Sequence, residues 1–245
     1  MNSTQAQDIS AREWLLTGTG LGLSVGMEFY LKDHLVPELP RFTTPNQLDR
    51  GMRTRLWWGE ARQDVARRWS DVLIYGVSMS SLLWGPAMAS DFEEAFYINN
   101  QVFVINSILT NVLKVTAARE RPYHYYGTRV PAGSKDFTSF YSGHSSVAFS
   151  QAVTNAMILS QHHPEYKSAI WSTLMGTAGM TAYLRVAGDM HYFSDILVGA
   201  LSGSMVAWII TEAGLKRFEK DSELADLLIK TPSRGFTVSF KIPLG

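Results

Sequence analysis

Six stretches of this chain contain no Asp, Glu, Lys or Arg: Trp14–Met27, Val72–Ser90, Ala95–Leu113, Phe137–Pro164, Ser168–Leu184 and Ile196–Thr211. Each is too long for an ordinary strand and long enough for a buried helix, so the pattern predicts an all-α fold, a bundle of about six main helices. At 245 residues with 46% hydrophobic and 18% charged residues, the chain can bury enough apolar surface to fold as a single domain over 1–245.

The same stretches bear on membrane placement. A span needs about 20 mostly apolar residues, and several stretches are shorter or carry amides, as Asn99, Asn100, Gln101, Asn106 and Asn111 do in the third. The mean hydropathy of −0.04 is low for a largely transmembrane chain. Pairs of glycines four apart, Gly22 with Gly26 and Gly199 with Gly203, suit close helix approach in lipid and in a soluble bundle alike. The first thirteen residues are polar and lack the pattern of a secretory signal.

Lys plus Arg and Asp plus Glu are equal at 22 each, which gives no global charge for nucleic-acid binding. The absence of cysteine excludes disulfides, thiolate metal sites, iron–sulfur clusters and cysteine nucleophiles. Residues 32–71 form a polar connection with Pro37, Pro40 and Pro45, followed by a helical-looking run from Asp49 to Ser70. There Arg53, Arg55, Arg62, Arg67 and Arg68 alternate with Trp57, Trp58 and Trp69. This mixture fits an interfacial amphipathic helix, or a solvated helix with aromatic core contacts. The end of the 214–245 tail alternates at Phe236, Val238, Phe240 and Ile242 and reads as a short strand.

Three segments combine anion-binding or proton-transferring residues with helix ends. In KVTAARERP, Lys114 and Arg121 are two helical turns apart, and Pro122 disfavours helical geometry in the residue before it, which predicts the helix end there. In YSGH, Ser142, Gly143 and His144 precede a long apolar run, where free backbone N–H groups favour an anion. Ser142 also suits an ordinary N-cap. In RVAGDMHYFSD, His191 and Asp195 are one turn apart, so the carboxylate can orient the imidazole, and Arg185 ends the preceding helix. Antiparallel neighbouring helices would bring all three segments to one end of the bundle. Two histidines, a carboxylate and three cations around one opening point to phosphoryl transfer.

These three segments, in this order, resemble the motifs of the type 2 phosphatidic acid phosphatase and vanadium haloperoxidase superfamily, over about Ala95–Ala213. The resemblance implies that Lys114, Arg121 and Arg185 bind phosphate and that Ser142 and Gly143 donate hydrogen bonds to it. It further implies His144 as general acid, His191 as the nucleophile that forms a phosphohistidine, and Asp195 as its orienting partner. Tyr141 stands where the family has proline, and Leu184 where it has serine before the arginine. Neither change removes a charged or proton-carrying group. His162 and His163 fall in a connection at the opposite end, His124 follows the first motif, and Asp189 shapes the third-motif loop.

The resulting expectation is a metal-independent phosphatase without cofactor, inhibited by vanadate. Its substrate is a phosphomonoester or pyrophosphate, in the leading reading that of a lipid such as phosphatidic acid, phosphatidylglycerophosphate or an isoprenyl pyrophosphate. The expected location is a bacterial-type inner membrane with the site facing the periplasm. By contrast, counting basic residues would put the side shared by 32–71 and the catalytic loops in the cytoplasm. The alternatives are a soluble periplasmic non-specific acid phosphatase, a vanadium-dependent haloperoxidase and a non-catalytic anion-binding membrane protein.

Overall fold

A computed structural model describes residues 9–230, so the strand expected in the tail lies outside the described residues. The helices in chain order are α1 (Ala11–Gly26), α2 (Lys32–Leu35), α3 (Gln47–Leu56), α4 (Gln63–Met79) and α5 (Gly85–Met88). They continue with α6 (Phe92–Ala117), α7 (Pro122–Tyr125), α8 (Gly143–His162), α9 (Lys167–Ala187) and α10 (Phe193–Lys230). Wider π-helical turns follow α1 at Met27–Leu31 and α4 at Ser80–Trp84. Among the described residues, the long helices α1, α6, α8, α9 and α10 each carry most or all of one charge-free stretch, whereas Val72–Ser90 runs from the second half of α4 through the π-helical turn to just past α5. The chain is all-α, and among the described residues β pairing is limited to an isolated bridge between Phe42 and Arg119.

The helix starts follow from side chains that satisfy otherwise orphaned backbone N–H groups. Ser10 and Glu13 form a reciprocal capping box on α1. Asn46 caps α3 through the Asp49 N–H, Asp91 caps α6 through the Glu94 N–H, and Ser142 caps α8 through the Ser145 N–H. The Arg- and Trp-rich run is not one helix: it breaks after Leu56, turns through Gly59 at φ +79°, and restarts at Gln63. The helix of the first motif also ends earlier than the proline suggests. Ala118 adopts a left-handed conformation at φ 43° and closes α6 at Ala117, so Arg121 lies beyond the helix instead of two turns along it.

The central helix is α8, which packs against α10, α9, α6 and α4. Glycine permits its closest crossing: a Cβ at Gly203 would stand 2.2 Å from the Ser146 carbonyl oxygen, and one at Gly199 would stand 2.7 Å from that of Ser142. Gly22 and Gly26 face open space. The main apolar core joins Ile98 and Val102 of α6 to Val153 and Ile158 of α8 and to Ala207 and Phe218 of α10. Polar residues also meet inside. The Asn155 amide donates to Ser81 and to Asn99, and the Ser146 hydroxyl donates to Asn106, so these buried groups are hydrogen-bonded across helices.

Alternating helix directions decide where the chemistry gathers. Helix α6 ends, α8 begins, α9 ends and α10 begins at one end of the bundle, and α4 starts there too, because its Asp71 reaches His144 and Arg185. His162 lies at the far end of α8, hydrogen-bonded to Ser90.

Candidate active site

A cavity of about 380 Å³ opens at that end, lined at its base by Lys114, Arg121, Gly143, His144, Arg185 and His191. Lys114 comes from the last turn of α6, Arg121 from the N-cap of α7 and Arg185 from the last turn of α9. All three cations are buried. The Arg185 guanidinium donates to Asp71 at 3.0 Å and to Ser70 at 2.8 Å, and Arg121 donates to Thr138 at 3.1 Å. The Nε atoms of both arginines are buried without a hydrogen-bond partner. Burial pushes the Arg121 guanidinium down from its ordinary value, although Tyr123, Asp195 and Asp136 oppose the shift. Cations held out of water with unfilled donors make a site for an anion.

Gly143 opens α8 beside this cluster. A Cβ there would lie 3.1 Å from the Lys114 Nζ, so glycine lets the ammonium approach the helix N-terminus. Ser142 itself is fully buried and does not line the cavity. Its hydroxyl accepts from the Ser145 N–H and the Ser145 hydroxyl, so in this structure it acts as the N-cap.

The His191 ring is fixed from behind. Its Nδ1 lies 2.7 Å from the Ser139 carbonyl oxygen, which can only accept, so Nδ1 carries the proton and Nε2 holds the lone pair. Burial first, then Arg121, Arg185, Lys114 and His144, push this imidazole well below its ordinary pKa, which keeps it neutral. Asp195 is not its direct partner. The nearest carboxylate oxygen lies 3.9 Å from Nδ1, beyond hydrogen-bond distance, and accepts from the Ser139 hydroxyl at 2.6 Å and the Tyr192 N–H at 2.9 Å. The orienting partner expected from the motif therefore reaches His191 through Ser139.

His144 faces the same cavity and is held by a residue outside the three motifs: its Nε2 lies 2.9 Å from Asp71 Oδ1. The Asp71 carboxylate thus couples His144 to Arg185. Sequence reading placed Asp71 only as the last residue of the polar connection. Its signal in the sequence is its position, a carboxylate at the junction of the Arg-rich run and the charge-free stretch Val72–Ser90.

The other singled-out residues have structural partners. Asp189, at φ 58°, accepts from Arg53 through two bonds of 2.7 Å and from Thr128 at 2.7 Å, which shapes the third-motif loop as expected. The same Arg53 stacks on Trp57 and Tyr126, and Trp58 donates to the Tyr183 hydroxyl. Part of the Arg- and Trp-rich run therefore packs against the catalytic loops. His124 pairs with Glu120 at 2.5 Å and does not line the cavity. Tyr141, in the proline position, is fully buried with its hydroxyl accepting from Thr110, and Leu184 packs against Ala66 and Ala187.

Above the charged base, the walls combine apolar Val25, Phe29, Ile74, Tyr75, Phe103 and Val147 with polar Ser24, Glu28, Ser78, Ser107, Thr110 and Asn111. Phe29 and Tyr75 are also exposed on the outer surface, at 78% and 72%. Among the described residues one helical stretch, Phe193–Glu223, is long and apolar enough to cross a membrane. Less than a third of its most apolar window is buried.

Residues 100–219 match the family model of the PAP2 superfamily, a range that contains all three motifs. The chain is also similar to a PA-phosphatase related-family protein of Dictyostelium discoideum, with 32% identity over 126 residues. That alignment covers 46% of this chain and 46% of the relative, so the chain spans about half the length of the curated relative it matches. Over residues 100–219, just under half of its length, the chain is thus similar to the PAP2 superfamily, and the three motifs lie in that stretch.

Proposed function

We propose that the protein is a phosphatase that transfers the phosphoryl group of a phosphate ester or pyrophosphate to His191 and then to water. The observation that carries this reading is the His191 ring held at Nδ1 by the Ser139 carbonyl oxygen, in a cavity that also holds three buried cations and a second histidine bonded to a carboxylate. The cations and the N–H groups at the start of α8 hold the phosphate oxygens. Nε2 attacks phosphorus, a P–N bond forms and the P–O bond to the leaving group breaks. His144, doubly protonated in the phosphate-bound site with Asp71 accepting from Nε2, gives a proton to the leaving oxygen and becomes neutral. Water then attacks the phosphohistidine, His144 takes up the water proton, and the P–N bond breaks to release inorganic phosphate.

The substrate is a lipid phosphate and the protein works in a membrane. Supporting this are the apolar side chains among the cavity walls, the exposed Phe29 and Tyr75 at the rim and the apolar helix α10. Outward-facing Leu15, Leu16 and Leu23 on α1 and Leu201, Met205 and Trp208 on α10 extend the same apolar surface. The reading further places the chain in a bacterial-type inner membrane with the cavity toward the periplasm. No cofactor is required, since organic cations balance the phosphate charge.

The test is to trap the intermediate. Brief incubation with a radiolabelled phosphate ester should leave a protein adduct that is labile to acid and stable to base, formed in chelator and abolished by vanadate. His191→Ala should form none. An acid-stable phosphoserine adduct, or turnover that requires an added divalent metal, would replace this mechanism. Partition of the chain into the soluble fraction without detergent, monodisperse, would remove the membrane part and leave the chemistry standing.

A further inference from the structure

Behind the nucleophile lies a buried ionic cluster built from three distant segments. The Arg119 guanidinium donates from Nη1 to Asp195 Oδ1 at 2.5 Å and from Nη2 to Asp49 Oδ2 at 2.7 Å. Asp49, on α3, also accepts from the Ser194 N–H at 2.8 Å and from the Ser194 hydroxyl at 2.9 Å. The Tyr192 ring covers the guanidinium at 4.2 Å. Both carboxylates are buried at 1% exposure or less, so water does little to screen them. Burial works against the charge on Arg119, yet Asp195 and Asp49 outweigh it and push the guanidinium up, so it stays a cation.

Burial pushes the Asp195 carboxyl up, while Arg119, the Ser139 hydroxyl and the Tyr192 N–H favour its ionised form. With both carboxylates ionised, one guanidinium between them leaves the cluster with one net negative charge. Without Asp49, Arg119 and Asp195 would be a neutral pair. The other oxygen of Asp195 accepts from the Ser139 hydroxyl, and the Ser139 carbonyl accepts from His191 Nδ1. The Ser139 N–H in turn donates to the Arg119 carbonyl at 2.9 Å, which ties the first motif to the loop before the second. Asp49 lies outside residues 100–219, the part that matches the superfamily.

We propose that Asp49 and Arg119 are positioning residues for the nucleophile. Arg119 fixes Asp195 on Ser139 so that the Ser139 carbonyl orients the His191 ring, and Asp49 offsets the Arg119 charge so that one net negative charge faces the ring as it becomes cationic on attack. This rests on the phosphohistidine reading. Charge that matters only as the ring turns positive acts on the transition state more than on substrate binding, so its loss lowers kcat with little effect on KM.

The experiment compares the wild-type chain with Asp49→Asn, Ser139→Ala and Arg119→Lys, using p-nitrophenyl phosphate as substrate and rapid quench for the phosphoenzyme. Asp49→Asn keeps volume and an oxygen toward the Ser194 N–H while removing the charge. Its kcat and rate of phosphoenzyme formation should fall about tenfold or more, with KM within about twofold. Ser139→Ala should slow the same step, and Arg119→Lys should retain part of the activity that Arg119→Ala loses. Thermal melting checks that each variant is folded. If Asp49→Asn fails to fold, the single-oxygen change Ser139→Ala carries the test. Wild-type phosphoenzyme formation in folded Asp49→Asn or Ser139→Ala would overturn the proposal, as would a loss confined to KM. If the wild-type chain itself forms no phosphohistidine, the reading beneath the proposal fails and takes the proposal with it.

Discussion

Replacing Asp71 by Asn separates proton transfer from phosphate binding at this site. Asp71 Oδ1 accepts from His144 Nε2 at 2.9 Å and from Arg185 Nη1 at 3.0 Å, so one carboxylate serves both the proposed acid and a phosphate-binding cation. A hydrogen bond to a charged group contributes roughly 1.5–3 kcal/mol against about 1 for a neutral one. The Asp71 side chain is 32% exposed, which screens its charge and favours the lower part of that range. Loss of about 1–2 kcal/mol at His144 corresponds to roughly 5- to 30-fold in the rate of a step that needs its proton. The loss through Arg185 is common to all substrates, whereas the loss through His144 depends on the leaving group. Steady-state kcat/KM should therefore be measured for p-nitrophenyl phosphate and for a simple alkyl phosphate. The alkyl ester, whose alkoxide needs a proton, should lose about 5- to 30-fold more than the aryl ester. Equal losses for the two esters would refute a role for Asp71 in holding the acid and leave only its contact with Arg185.

Arg121→Lys and Arg185→Lys should each lower kcat/KM by about tenfold or more, because an ammonium cannot reproduce the planar donor array, while the exposed Lys216→Ala should change little; near wild-type activity in both would remove these arginines from the site. The depressed pKa of His191 sets the sign of a pH effect. Its neutral form persists as pH falls through 6.5, so phosphoenzyme formation from an aryl phosphate should hold at pH 5.5 and fail only below the depressed value; a rate that halves near pH 6.5 with the nucleophile's protonation would contradict it. Asp195→Asn should form phosphoenzyme more slowly than wild type but faster than His191→Ala, since the Ser139 carbonyl still orients the ring. Gly203→Ala should lower stability by about 1–3 kcal/mol, read from chemical denaturation, because its Cβ would meet the Ser146 carbonyl at 2.2 Å; unchanged stability would mean that α8 and α10 separate at little cost.

The helices were legible because charge is excluded from their buried lengths and concentrated where they end. Five of the six charge-free stretches each lie along one long helix, and antiparallel packing of neighbours predicts that Lys114, His144 and Arg185 meet. Local backbone choices were less visible. Nothing in ARERP signals that Ala118 takes a left-handed conformation, so the expected two-turn spacing of Lys114 and Arg121 gives way to a loop that presents Arg121 from the N-cap of α7. The break between α3 and α4 depends on Gly59 at positive φ inside a run otherwise suited to one helix.

The side chains that line the cavity were legible in the motifs, and the groups that hold them were obscure. Residues that touch an anion recur in short motifs because helix ends and turns bring near neighbours together. The residues behind them are fixed by tertiary contact, so sequence distance hides them: Asp71 lies 73 positions from His144, and Asp49 lies 70 from Arg119. The same reasoning explains why the spacing of His191 and Asp195 misled. Helical geometry is what brings an i, i+4 pair onto one face, but α10 begins at Phe193, after His191. The imidazole therefore lies off the helical path, and the Ser139 backbone fills the gap between ring and carboxylate. What holds the His191 ring is then Ser139, whose N–H donates to the Arg119 carbonyl and whose hydroxyl donates to Asp195, and the Arg119 guanidinium is bound in turn by Asp49 of α3, a helix that contributes no group to the cavity.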